Sequence, residues 1–440
     1  MIISNLHKKI NFIEMQKIQI VFIAFIFSTL FSCLKEGKTY EMQTPDTRFL
    51  IKSESLTAFY EMGASSVSIY ASEEDKKMQT PECVVYYKEI EDVLNYIQNI
   101  SFEEYLEFYK KKGTQSFYDM QLSENLNITP NNEKIRIAID AGHIASNFEE
   151  ALMEERFMKI IGGKFQFYEA RNTWAVAAFL FEILENEGFE VMLTREKAGY
   201  TAFGKTYKEW LTNDFQLSLE QSLHSGKITE KTYQDLLYNS DAKTVFNRYF
   251  RNLEMEERAR KINEFQPNIT LIIHFNVSPK PQTNSNQEYY ASNENFNMTF
   301  VPGSFTAGEL DSVSERAKFL RLLLFGDIKN SIELSSLIIR YLSNSLKVSA
   351  VSETLNVSYL QDYCIYTNQK GVFARNLALN RMIYGTQSYV ELFCQDNFAE
   401  AELLSQENEE VMGEKVPLRT KEAAEAIAAA IKHYIELQNK

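Results

Sequence analysis

The chain has 440 residues, 45% of them hydrophobic, and a formal net charge of −14. That apolar content is enough for a large core and for more than one compact domain. The acidic balance shows no basic face, which argues against DNA or RNA as a partner.

The first element is the apolar run IQIVFIAFIFSTLFSC, Ile18 to Cys33, preceded by Lys8, Lys9 and Lys17. It is short for a membrane span and has the order of a secretory signal. Its end, Leu30-Phe31-Ser32-Cys33, resembles a bacterial lipobox. That resemblance implies a lipoprotein signal peptide over residues 1–33, a lipidated Cys33 that attaches the chain to a membrane, and a place in the cell envelope facing the periplasm. A plain signal peptide or an anchor helix is the alternative. Met15 would make a more typical start. Beyond Cys33 no apolar run is long enough to cross a bilayer. Cys83, Cys364 and Cys394 then remain, so one disulfide is the most that can form, and no CxxC pair offers a thiolate zinc knuckle.

Residues 34–128 read as a polar tether and a small accessory region of unknown role. SSVSIYA is strand-like; YKEIEDVLNYIQ and FEEYLEFYKKK have helical periodicity. LNITPNN is a turn-rich boundary, and residues 133–440 read as the main domain. There IRIAIDA is a strand, TWAVAAFLFEILENEG a helix with Gly188 behind it, and FEVMLTR the next strand. This order predicts a parallel pair with a crossover. Residues 196–250 form a polar, helical insertion. EMEERARKINEFQ is a helix, ITLIIHFN a strand, ELSSLIIRYLSNSL an amphipathic helix, SYVELF a short strand and KEAAEAIAAAIKHYIEL a closing helix. The segment 279–330 has no assigned element. The expected fold class is α/β: a mostly parallel twisted sheet flanked by helices, with the N-terminal accessory region and helical insertions.

Three polar residues fall at strand ends. His143 follows the first strand, His274 ends ITLIIH, and Glu391 sits in SYVELF. Open α/β sheets bind ligands outside the carboxyl ends of their strands, so the three can converge. Gly142 is expected to let the backbone bend before the imidazole. Of the other histidines, His7 is in the signal region, and His224 and His433 read as solvated. Asn276 is read as orienting a ligand or capping its loop. Two histidines need a third ligand to make a catalytic zinc site of the His₂Glu type. The candidates are Glu149, Glu150, Glu154, Glu155 and Glu169. Glu169 is chosen because it opens a helix that must pack back on the sheet; the alternative is a carboxylate placed for the helix dipole. The cluster from Glu149 to Glu155 reads as a solvated helix face.

Taken in order, IAIDAGH (137–143), Glu169 with Asn172, EGFEVMLTR (187–195), EERARKIN (256–263), LIIHFNV (271–277), GVFARNL (371–377) and YVELFCQDN (389–397) resemble the zinc-dependent N-acetylmuramoyl-L-alanine amidases of the amidase_3 family, the AmiC/CwlV type. The resemblance runs from about residue 134 to the C-terminus. It implies one catalytic zinc held by His143, Glu169 and His274, Glu391 as the catalytic carboxylate, and cleavage of the amide between N-acetylmuramic acid and L-alanine in peptidoglycan or muropeptides. Some members hold a helix over the metal until a partner releases it, which would add a protein activator. The chain departs from the family in GHIASNFEE after the first histidine, in the long gap to Glu169, and in the extra segments 196–250 and 279–330. Two rival readings are a non-catalytic wall-binding lipoprotein on the same fold and a zinc amidohydrolase acting on another envelope peptide.

Overall fold

The computed structural model describes residues 47–87, 134–162, 165–324, 327–352 and 357–438, all within one compact unit, Pro45–Lys440. The signal and lipobox readings, and the helical readings between 88 and 112, fall outside the described residues. Among those residues no helix is long and apolar enough to cross a membrane. Cys83, Cys364 and Cys394 are buried.

Strands β1 (Tyr60–Met62), β2 (Ser66–Ile69) and β3 (Cys83–Tyr86) make a small antiparallel sheet. Chain ahead of it is already docked. The Lys52 amide donates to the Phe305 carbonyl at 2.9 Å and the Phe305 amide to the Leu50 carbonyl at 2.7 Å. Leu50, Leu56, Val67 and Val85 share one core with Val301, Phe305 and Phe319. Each such fully buried aliphatic side chain stabilises by about 1.5–3 kcal/mol.

The main sheet starts with β4 (Arg136–Ala141). A helix, α1 (Phe148–Glu154), and a hairpin of β5 (Phe157–Lys159) and β6 (Gln166–Tyr168) follow. Then come α2 (Glu169–Asn186), β7 (Glu190–Leu193), α3 (Arg251–Phe265) and β8 (Ile269–Asn276). The remainder is β9 (Met298–Val301), α4 (Asp327–Leu346), β10 (Cys364–Tyr366), β11 (Val372–Arg375), β12 (Thr386–Cys394), a hairpin of β13 (Glu409–Val411) and β14 (Glu414–Val416), and α5 (Leu418–Gln438). Seven strands pair in the order β10-β11-β9-β12-β8-β4-β7. β7, β4, β8 and β12 run parallel; β9 is antiparallel to β12, and β11 parallel to β9. The sheet is therefore mixed but mostly parallel, with helices on both faces.

One face carries Ile137, Ile139, Leu271, Ile273, Val390 and Leu392 against α2, α4 and α5. The other carries Ala138 and Ile272 against Ala259 and Ile262 of α3. Strands covered on both faces read as near-continuous apolar runs, which is why IRIAIDA and ITLIIHFN stood out. SYVELF proves to be the middle of a nine-residue strand. β9 lies in the segment left unassigned, as its four-residue MTFV shows no alternation and all four residues are buried.

The insertion at 196–250 builds its own aromatic core. Tyr207, Trp210, Leu219, Leu236, Phe246 and Phe250 pack together, with Trp210 and Phe250 ring centroids 4.4 Å apart. Ile144, the residue after His143, is part of that core. The insertion thereby braces the loop that bears the first candidate ligand.

Candidate metal centre

The apolar stretch of β4 is held in register by β8: Ala141 pairs with Ile273, and the Gly142 amide donates to the Ile273 carbonyl at 2.9 Å. The chain then leaves the sheet, and His143 adopts φ +58, the left-handed region. Gly142 does not have positive φ, so the expected bend belongs to His143 itself. Glycine is needed at 142 for space. A Cβ there would lie 2.3 Å from Cε1 and 2.4 Å from Nε2 of His274.

Three carbonyls of this turn have side-chain partners, as a buried loop requires. Arg195 donates through Nε to the Ala141 carbonyl and through a terminal nitrogen to the Gly142 carbonyl, each at 3.1 Å. Arg258 reaches the Ala141 carbonyl at 2.9 Å and the His143 carbonyl at 3.3 Å. Its charge is balanced by Asp140 at 3.1 Å and Glu254 at 2.7 Å. Thr173 of α2 donates to the Gly142 carbonyl at 2.6 Å. The motifs VMLTR and EERARKIN thus converge on the turn that presents His143.

Glu154 closes the other side. Its carboxylate accepts from the amides of Ile144 at 3.1 Å and Ala145 at 3.0 Å, and lies 3.9 Å from His143 Nδ1. The side chain is buried, which pushes its pKa up to about 7 against the two amide bonds and the nearby Arg195 and Arg258. Glu150 takes the Ser146 amide at 2.8 Å. The solvated-face reading of this cluster is therefore corrected for Glu150 and Glu154: the loop after His143 turns back over α1 and consumes both carboxylates. Glu149 and Glu155 are exposed as expected.

Glu169 is the first residue of α2 and is buried. Its Oε1 lies 3.4 Å from His143 Nε2 and 3.3 Å from His274 Nδ1, and accepts from the Phe275 amide at 3.0 Å. Burial alone would raise its pKa, but the two imidazoles hold it well below the usual carboxylate range. His274 is pushed down to about 4 by burial, with His143 adding to the effect against Glu169. Near neutral pH His274 thus offers a neutral imidazole and Glu169 an ionised carboxylate, the forms that ligate a metal. One ligand atom from each of His143, Glu169 and His274 lies within 4.8 Å of the others, the sole grouping of its kind among the described residues. Two nitrogens and one oxygen at this spacing suit a borderline-soft divalent cation such as zinc.

His274 and Glu391 sit within their strands, near the carboxyl ends, and face each other in register across β8 and β12. Tyr389, two residues earlier, stacks on the His274 ring at 4.6 Å and 9°, and neither its role nor that of Glu154 was foreseen. Glu391 is partly accessible. Burial first, and then the charge of Glu169, raise its pKa well above the ordinary carboxylate value. Asn276 donates to the Glu391 carbonyl at 3.3 Å, a structural use. His224 is exposed. His433 pairs with the Tyr341 hydroxyl at 3.1 Å, so it is bound into the helix packing and not simply solvated.

Comparison with known proteins places the chain in a family. The family model Amidase_3, described as N-acetylmuramoyl-L-alanine amidase, matches residues 137–433. A search of curated proteins gave no match. Among solved structures, the CwlD amidase from Clostridioides difficile, in complex with the GerS lipoprotein, is 17% identical, with 69% of this chain and 100% of that chain covered and a TM-score of 0.38. The catalytic domain of CwlV, an N-acetylmuramoyl-L-alanine amidase from Bacillus (Paenibacillus) polymyxa var. colistinus, is 15% identical, covering 69% and 98%, at 0.37. Apo Ami1 from Mycobacterium abscessus is 11% identical, covering 68% and 98%, also at 0.37. With its family model spanning most of the chain, the protein belongs to the Amidase_3 family of N-acetylmuramoyl-L-alanine amidases and is an amidase enzyme.

Proposed function

We propose that this amidase hydrolyses the bond between N-acetylmuramic acid and L-alanine in peptidoglycan, using one zinc held by His143, Glu169 and His274. The observation that carries the reading is the donor set itself: two imidazoles and a carboxylate within 4.8 Å, beside a fourth ionisable group, Glu391. Zinc in such a site lowers the pKa of bound water to around 7 and polarises a carbonyl.

The chain's own residues supply the rest. Glu391 is the proton carrier. Its proton affinity is raised by burial, and one carboxyl can take a proton from water and hand it to the leaving nitrogen. Tyr389 fixes the His274 ring by stacking, and the Arg195 and Arg258 bonds hold the His143 turn rigid, as precise ligand geometry demands. A complete donor set next to a proton carrier favours an enzyme over a wall-binding scaffold. We further infer a lipid attachment at Cys33 and a periplasm-facing envelope location, on the resemblance of Leu30–Cys33 to a lipobox.

The test is Glu391→Gln. The variant is expected to keep about one zinc per chain and to lose hydrolysis by about 10²–10⁴-fold. A variant with unchanged turnover would remove Glu391 from the mechanism.

A further inference from the structure

We infer that Arg375 is a carboxylate-binding subsite that reads a free acid on the peptide side of the scissile amide; this rests on the amidase reading above. Among the described residues, every other arginine that is not solvent-exposed has a polar partner: Glu190 for Arg136, Glu407 for Arg171, backbone carbonyls for Arg195, and acids for Arg258, Arg316, Arg321, Arg381 and Arg419. Arg375 alone is half-buried with no hydrogen bond or ion pair. Its guanidinium carbon lies 5.0 Å from the ring centroids of both Phe300 and Tyr359.

Its position connects that cation to the candidate centre. Phe373 on β11 pairs with Phe300 on β9, which pairs with Tyr389 on β12. Side chains two residues apart on a strand share a face, so Arg375, Phe373, Phe300, Tyr389 and Glu391 occupy one face of the sheet. Arg375 is also the strongest positive influence on Glu391, ahead of Arg156, although no ion pair joins them. Two aromatic rings lie against the guanidinium, and its N–H groups have no partner among the described residues. Those N–H groups form a planar fork matched to a carboxylate. In a chain of net charge −14, an unneutralised cation on the same sheet face as Glu391 is a candidate anion receptor. The stem peptide that begins at L-alanine is the part of this substrate class that carries carboxylates.

The experiment compares two soluble muropeptides, identical except that the residue after L-alanine carries either a free α-carboxylate or its amide. Wild type, Arg375→Gln and Arg375→Lys are assayed on both after zinc loading, and the metal-free proteins are titrated calorimetrically with the two stem peptides. Wild type is expected to favour the free acid in kcat/KM and in binding by roughly tenfold to hundredfold, the range for a charge-assisted pair. Arg375→Gln should abolish that preference, and Arg375→Lys should keep part of it. A preference retained in Arg375→Gln, or absent in wild type, overturns the subsite. Because each ratio is internal to one variant, a general loss of folding leaves it interpretable. If wild type cleaves neither muropeptide, the amidase reading fails, while the binding ratio still decides the role of Arg375.

Discussion

Replacing Gly142 by alanine should disable the metal centre while leaving the fold standing. The new Cβ would lie 2.3, 2.4 and 2.6 Å from three atoms of the His274 ring. Ordinary carbon contacts need about 3.5–4.0 Å, so the ring must move by about 1 Å or more. It cannot do so freely, because Tyr389 stacks on it at 4.6 Å. The backbone contributes no further penalty, since Gly142 does not have positive φ. Overpacking of this kind costs about 1–3 kcal/mol, and a chain of 440 residues should lose roughly 1–4 °C in Tm. The larger effect is on the ligand set. Displacing one ligand should weaken zinc binding by at least about 10–100-fold, the effect of losing a supporting contact, and a misplacement near 1 Å should cost about 100-fold in rate. Zinc affinity would be measured by competition with a chelator, and Tm by calorimetry on the metal-free protein. Wild-type zinc affinity in Gly142→Ala would refute the argument, because the ring contact would then be without consequence.

Other expectations follow from the same geometry. In the metal-free protein the Glu154 pKa is raised by burial to about 7, above its ordinary value, so the folded state holds a proton that the unfolded state releases. Stability from this group is present below about pH 4.5 and is lost as pH rises to about 7. Wild type should therefore lose stability relative to Glu154→Gln across that window, by about 3 kcal/mol at most; denaturant melts at several pH values would show it, and a constant gap would contradict it. Cys33→Ser should move the full chain from the membrane fraction to the soluble fraction of expressing cells. An unchanged distribution would rule out attachment through that residue.

The grouping of His143, Glu169 and His274 was legible because its members obey simple rules. His143 and His274 punctuate apolar strands, and Glu169 heads a helix that must return to the sheet. Parallel strands advertise themselves by buried apolar runs, so β4, β8 and the centre of β12 were found, and Gly188, with φ +91 behind the end of α2, marked that helix end. The antiparallel β9 was not legible. Four buried residues give no period to read, and their partners lie far along the chain. Glu154 was misread for a similar reason: a carboxylate between two other acids looks like a wet helix face until the loop folds over it. The roles of Arg195 and Arg258 depend on carbonyls that only the turn at His143 leaves unpaired. Arg375 lay inside the quoted GVFARNL, but its isolation from acids is a fact of three dimensions.

The most direct test of the account is the chemical identity of the product. Purified, zinc-loaded protein starting after Cys33 would be incubated with peptidoglycan, and newly formed α-amino groups would be labelled and identified by mass spectrometry. The account predicts stem peptides with a free L-alanine amino terminus, released by wild type and absent with Glu391→Gln. New termini at any other residue, or L-alanine termini formed equally by the variant, would contradict it.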